Sequence, residues 1–135
     1  MKRPEDYGYK ESLQIPWQAI RAWAEQPDLL SYCRSHNIHT ITYIPKGGLI
    51  PAAMLVYNLL AQDYHCAIVS PVHSSYALVI DDIIDSGATL RNMFLPPTAH
   101  FVAVFARPTA PEYPLRKYSL ETPANTWLVF PWEER

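Results

Sequence analysis

Cysteine is almost missing from this chain of 135 residues: only Cys33 and Cys66 occur. No disulfide framework can be read from two thiols, and no apolar leader follows Met1-Lys2-Arg3-Pro4-Glu5-Asp6. A cytoplasmic protein with reduced thiols is therefore expected. Neither cysteine has an identifiable base in the sequence, and both read as packing residues. Long hydrophobic runs are lacking too, which leaves no candidate membrane span. Charge of one sign is not in excess, since 11 Lys and Arg face 13 Asp and Glu for a net charge of −2. That balance argues against nucleic acid as a partner recruited by charge. Hydrophobic residues at 49% and charged residues at 18% exclude a disordered chain.

Glycine is scarce, 4 residues against 13 prolines. Three of the four, Gly47, Gly48 and Gly87, fall just beyond apolar runs. Glycine is used where backbone must approach a ligand closely or take positive φ, so two special turns are flagged. What is plentiful is core-forming material. A chain of this length is about one domain and buries roughly 68% of its unfolded surface.

Residues 1–12 are polar and tyrosine-rich and read as an N-terminal arm. Pro16 stands at a helix start, Trp17, Ile20 and Ala24 follow at helical spacing, and Pro27 stops them. Asp28 is placed to cap a second short helix with Leu29, Leu30 and Cys33 inward, ending near Asn37. From there strands and helices alternate. Thr40-Ile41-Thr42-Tyr43-Ile44 is β-rich, and residues 49–62 are helical with Ala52, Leu55, Val56 and Leu59 on one face. Cys66-Ala67-Ile68-Val69 reads as a short buried strand, and Tyr76-Ala77-Leu78-Val79-Ile80 as the next. A helix over residues 87–94 ends at Pro96-Pro97, His100-Phe101-Val102-Ala103-Val104-Phe105-Ala106 forms a further element, and Thr126-Trp127-Leu128-Val129-Phe130 closes the series. Residues 108–123, with four prolines, read as a loop or lid. Apolar strands separated by helices predict an α/β fold, a parallel central sheet with helices on both faces.

The chemistry is concentrated in Asp81-Asp82-Ile83-Ile84-Asp85-Ser86-Gly87-Ala88-Thr89. An apolar strand delivers two adjacent carboxylates at its C-terminal end, where open parallel sheets bind ligands. The small-residue turn behind them opens a helix, whose free amides and dipole, with the Ser86 and Thr89 hydroxyls, make a phosphate cradle. Carboxylates suit sugar hydroxyls, so the pair of features describes a site for a sugar 5-phosphate. The plainer alternative is a strand end in water followed by an Asp85 helix cap. Neither G-x-x-x-x-G-K-[ST] nor G-x-G-x-x-G occurs, which leaves nucleotide P-loops and dinucleotide folds unsupported. His36 and His39 have no Cys or acidic partner at ligand spacing and do not read as a metal site.

This acidic block resembles the phosphoribosyl pyrophosphate (PRPP) motif of type I phosphoribosyltransferases. Three further blocks resemble the bacterial xanthine-guanine members in the same order: Ile44-Pro45-Lys46-Gly47-Gly48-Leu49-Ile50-Pro51-Ala52, Ala99-His100-Phe101-Val102-Ala103-Val104-Phe105-Ala106-Arg107-Pro108, and Pro123-Ala124-Asn125-Thr126-Trp127-Leu128 with Pro131-Trp132-Glu133. The resemblance implies a single phosphoribosyltransferase domain over residues 1–135, with residues 108–133 as a base-binding hood segment. It implies transfer from PRPP to a 6-oxopurine, with Mg²⁺ as cofactor and a homo-oligomer, dimer or tetramer, as the assembly. Lys46, Gly47 and Gly48 would hold pyrophosphate; Asp81 and Asp82 would take the ribose hydroxyls and meet the metal. Asp85, Ser86, Gly87, Ala88 and Thr89 would bind the 5-phosphate end, and Asp85 would also handle the proton at the purine N7. Arg107 would face the purine 6-oxo group, Trp127 would stack on the base, and Leu128 and Glu133 would supply acceptors near its 2-position. For Trp127 and Trp132, simple core packing is the alternative.

Two departures from the family pattern stand out. A mobile, often basic hood loop is reduced here to Ser70-Pro71-Val72-His73-Ser74-Ser75, and no Lys or Arg lies between Gly47 and Leu90. A closing loop excludes water from the reacting centre, so its loss bears on turnover. Arg107 also stands where the family commonly has Lys, which keeps charge and changes donor geometry. Two alternatives to purine transfer follow: a PRPP- or nucleotide-binding regulator without turnover, and a transferase for another nucleobase.

Overall fold

The computed structural model describes residue 9 and residues 11–70, 77–86 and 100–133. Five parallel strands form the main sheet in the order β3-β2-β4-β5-β6, with β2 at Thr40–Tyr43, β3 at Ala67–Ile68, β4 at Leu78–Ile84, β5 at His100–Ala106 and β6 at Leu120–Glu121. Helix α3, Leu49–Leu60, packs on β2 and β4, while α1 (Trp17–Ala24) and α2 (Pro27–Ser35) pack on α3. The α/β class read from the sequence is the class observed. The expected helix over residues 87–94 and the shortened loop after Ser70 lie outside the described residues. Among the described residues no helix is long and apolar enough to cross a membrane.

Strand alternation sorts the core onto two faces. Leu78 and Ile80 of β4 and Val102 and Val104 of β5 join Ile20, Trp23, Leu29, Leu55 and Leu59 from the helices. Val79, Phe101 and Ala103 point the other way and meet Ile44, Ile84 and Ala110.

Several local expectations are corrected. Residues 66–69 are no buried strand: β3 is a two-residue exposed strand at the sheet edge, held by β2 alone. Asp28 is not the cap of α2, because Pro27 already occupies the first turn and Gln26 precedes it, its amide reaching Trp23 O and Tyr118 O. The end of α2 near Asn37 is as expected: the helix stops at Ser35, Asn37 turns to φ 55° and the Ile38 amide reaches back to Cys33 O. β4 runs four residues past Ile80, because β5 continues to pair with it there. Residues 108–123 are a loop as expected, but Leu115 is buried and β6 extends the sheet beside β5.

The two ends of the chain meet in a second, small sheet. β1, Glu11–Gln14, pairs in parallel with β7, Thr126–Val129, matching Ser12 to Trp127 and Leu13 to Leu128.

The switch in winding lies between β2 and β4. From β2 the chain crosses to β3 on one side, returns to β4 on the other, and then proceeds outward through β5 and β6. The C-terminal ends of β2 and β4 therefore flank the crevice that such a switch point opens. The loop after β2 is drawn tight there: Ile44 N–H donates to Ile80 O and Gly48 N–H to Ile44 O. A Cβ at Gly48 would run into the Ile80 carbonyl, which is backbone and cannot rotate away. Gly48→Ala is expected to cost about 2 kcal/mol of stability in urea unfolding. A loss below about 0.5 kcal/mol would mean that the loop is not pinned there.

Candidate functional site

The crevice brings the first two sequence blocks together. Asp81 and Asp82 lie on β4 beyond Ile80, the last residue matched to β2, so the loop of residues 45–48 reaches the carboxylates from that side. Gly47 sits against Asp82 so closely that a Cβ would overlap the carboxylate. The Pro45-Lys46 peptide is cis, Lys46 is exposed, and the Lys46 and Gly47 amides have no acceptor among the described residues.

The two acids differ in environment. Asp81 is 8% exposed, and its Oδ1 accepts the Asp82 amide at 2.8 Å; Asp82 is half-buried, and its Oδ1 accepts the Ile83 amide at 2.8 Å. Burial, then the neighbouring Asp82 charge, push the Asp81 carboxyl well above the usual carboxylate range.

Asp85 and Arg107 follow two neighbouring strands whose register ends at Ile84 opposite Ala106. The Arg107 amide donates to Ile84 O at 3.0 Å, which fixes the two residues side by side. Asp85 is exposed, its Oδ1 accepts the Thr109 hydroxyl at 3.1 Å, and its Oδ2 lies 3.6 Å from Arg107 Nε. Arg107 itself is buried. Its Nη1 donates to Pro123 O at 2.7 Å, Thr126 O at 2.8 Å and, more weakly, Ala124 O at 3.4 Å.

Asp82, Arg107, Trp127, Leu128, Phe130 and Glu133 line one open cleft of about 170 Å³. Phe130 stacks on Trp132 at 4.9 Å and forms its apolar end. Burial raises the Glu133 carboxyl above its ordinary value, the Phe130 amide at 3.4 Å opposes this, and Asp82 adds to it. Five sequence-selected residues thus share a wall, with Asp85 behind Arg107 rather than on the lining. Ser86 is exposed in the bend after β4, whereas Gly87, Ala88 and Thr89 lie outside the described residues.

Sequence reasoning missed Tyr9, Thr109 and Phe130. Tyr9 lies edge-on to Trp127 at 5.5 Å, with the Arg107 guanidinium 5.0 Å from its ring. The tyrosine-rich arm was the one available signal, and it carried no register. His36 and His39 stack on different partners, Tyr32 and Tyr64. Burial raises the thiols of Cys33 to about 12 and of Cys66 to about 11, in keeping with packing residues.

No family model matches the chain. Solved structures do share its fold. A purine phosphoribosyltransferase from Pyrococcus horikoshii superposes with a TM-score of 0.64 at 20% identity, covering 92% of this chain and 95% of that one. The Helicobacter pylori xanthine-guanine-hypoxanthine phosphoribosyltransferase gives 0.60 at 16% identity over 91% and 94%. A hypothetical protein from Neisseria gonorrhoeae with bound ppGpp gives 0.54 at 16% over 93% and 90%. The likeness establishes a type I phosphoribosyltransferase-like fold.

The raised Asp81 carboxyl carries a sign for stability. Above its ordinary value of 3.8 the unfolded chain releases a proton that the folded chain keeps, so folding weakens as pH rises toward the folded value. The slope reaches about 1.4 kcal/mol per pH unit. Asp81→Asn keeps the acceptor and removes the titration. Its melting temperature is expected to exceed the parent's by a margin that widens between about pH 5 and about pH 8. A margin independent of pH would assign the burial cost elsewhere.

Proposed function

We propose that this chain is a phosphoribosyltransferase joining PRPP to a 6-oxopurine (guanine, xanthine or hypoxanthine) to give a nucleoside 5′-monophosphate and pyrophosphate. The carrying observation is the convergence of Asp82, Arg107, Trp127, Leu128 and Glu133 on one cleft, with Gly47 packed against the same Asp82. In this reading the whole chain is one phosphoribosyltransferase domain, and residues 108–133 supply the base side of the site. Lys46, Gly47 and Gly48 receive the pyrophosphate, with the Lys46 and Gly47 amides, which have no acceptor among the described residues, and one positive charge. Asp81 and Asp82 hold the ribose hydroxyls, and Ser86, Gly87, Ala88 and Thr89 cradle the 5-phosphate beside Asp85.

The reaction breaks the bond from the anomeric carbon to the pyrophosphate oxygen, which keeps the electron pair, and forms a bond to a purine nitrogen. In this reading Asp85, exposed, bonded to Thr109 and beside Arg107, would accept the proton that the purine loses. Trp127 and Phe130 offer the apolar surface on which a flat base stacks.

Mg²⁺ fits this donor set. Asp81 and Asp82 are adjacent oxygen donors whose mutual repulsion a divalent cation relieves. Among the described residues no three His, Cys, Asp or Glu side chains gather as an all-protein cage, so substrate oxygens would complete the shell. Bound there, the ion would supply charge neutralisation for the departing pyrophosphate.

The proposal includes a cytoplasmic homo-oligomer, dimer or tetramer. Leu49, Tyr57 and Leu60 of the uncharged helix α3 are exposed and offer an apolar surface for a second copy.

A regulator that binds nucleotide without turnover is the second reading. It is favoured by the brief connection after Ser70 and by the likeness to the ppGpp-bound Neisseria protein. Turnover separates the two. With PRPP and Mg²⁺, nucleotide is expected from guanine, xanthine or hypoxanthine and not from adenine. Asp85→Asn is expected to lower kcat by about 10²-fold or more. No product from any base, with PRPP or nucleotide still raising the Tm, would replace the enzyme reading by the regulatory one.

A further inference from the structure

The resemblance gives Arg107 a direct contact to the base, yet its buried guanidinium is already engaged. One amino group, Nη1, bonds the loop of residues 123–126 through the carbonyls of Pro123 and Thr126 and, more weakly, Ala124. Nε faces the Asp85 carboxylate at 3.6 Å and has no hydrogen-bond acceptor among the described residues. The Tyr9 ring lies 5.0 Å from the same group. The loop so held leads directly into Trp127 and Leu128, which line the cleft.

We propose that Arg107 is a positioning residue that ties the base-binding loop to Asp85, so that loop and carboxylate become ordered together. Its catalytic meaning rests on the phosphoribosyltransferase reading, whereas the coupling itself does not. A planar guanidinium can serve carbonyls on one edge and a carboxylate on another in a single fixed plane. A lysine ammonium is a point donor and cannot span both. The strut therefore converts a change at one end of the site into order at the other. A base seated against Trp127 steadies the loop, and through it the group that takes the proton. The strut is an internal means of registering that the base is in place.

The test is amide hydrogen exchange across residues 124–127 in the full chain, with GMP affinity followed by tryptophan fluorescence. Asp85→Ala changes an exposed side chain for which no contact with these residues is seen, so a merely structural Arg107 leaves their exchange as in the parent. The strut predicts exchange about threefold faster, the scale of a weak ion pair. Arg107→Lys is expected to speed it roughly tenfold or more and to weaken GMP binding by a similar factor. Parent-like GMP binding in Arg107→Lys would show a cation that reads the base directly and would overturn the proposal. Unchanged exchange in Asp85→Ala would overturn it too, and that variant decides the matter if the lysine variant fails to fold. A parent chain that binds no GMP would instead remove the functional reading, while the exchange comparison still tests the strut.

Discussion

Everything at the working edge of this sheet depends on β4 being paired further on one side than on the other. Its pairing with β2 stops at Ile80 opposite Tyr43, while its pairing with β5 continues to Ile84 opposite Ala106. The unpaired flank is where the Gly47-Gly48 loop settles against Asp82 and the Ile80 carbonyl. The paired flank carries the chain on to Asp85, already in register with Arg107. One strand thus hands two carboxylates to one neighbour and a third to the other. Backbone hydrogen bonds, rather than side-chain attraction, set those separations.

Two ionisable groups are buried near this edge, and they are accommodated in opposite ways. Around Arg107, carbonyl oxygens and an aromatic face replace the water lost on burial. Asp81 receives one amide and a neighbouring carboxylate, so neutrality is the cheaper state. A site with one fixed charge and one adjustable charge suits a ligand that arrives bearing its own anions and counterion. Removing the Arg107 guanidinium would leave the Pro123 and Thr126 carbonyls without their donor, so stability and binding are linked at this edge.

The sheet and the acidic block were legible because they rest on local, repetitive signals. β5 is apolar at every position after His100, and its observed bounds are those the sequence implies. Glycines 47 and 48 marked a close approach, and the structure supplies the reason in Asp82 and Ile80. β1 was illegible because Glu-Ser-Leu-Gln has no alternation and is exposed at all four positions; only pairing with β7 makes it a strand. The exposure of β3 was missed for the converse reason, since an apolar run does not reveal that it lies at an edge. Arg107 was selected as a site residue, but nothing in Phe105-Ala106-Arg107-Pro108 tells which way a guanidinium turns. That depends on carbonyls sixteen to nineteen residues later.

An arginine rather than a lysine at this position therefore has a structural logic that charge alone does not convey. A long, flexible ammonium group can reach a ligand and withdraw, gaining or losing one contact at a time. A guanidinium buried under three carbonyls is part of the wall, and moving it would strip several hydrogen bonds together. Such a group cannot respond to a ligand by itself. It can only transmit displacement between the segments it joins, which here are the approach to Trp127 and the bend at Asp85. Fixing the donor array ahead of a ligand lowers the ordering cost of binding, at the expense of adaptability to differently shaped ligands. A scaffold this short, with β1 and β7 bracing each other outside the main sheet, gains more from rigidity than from reach.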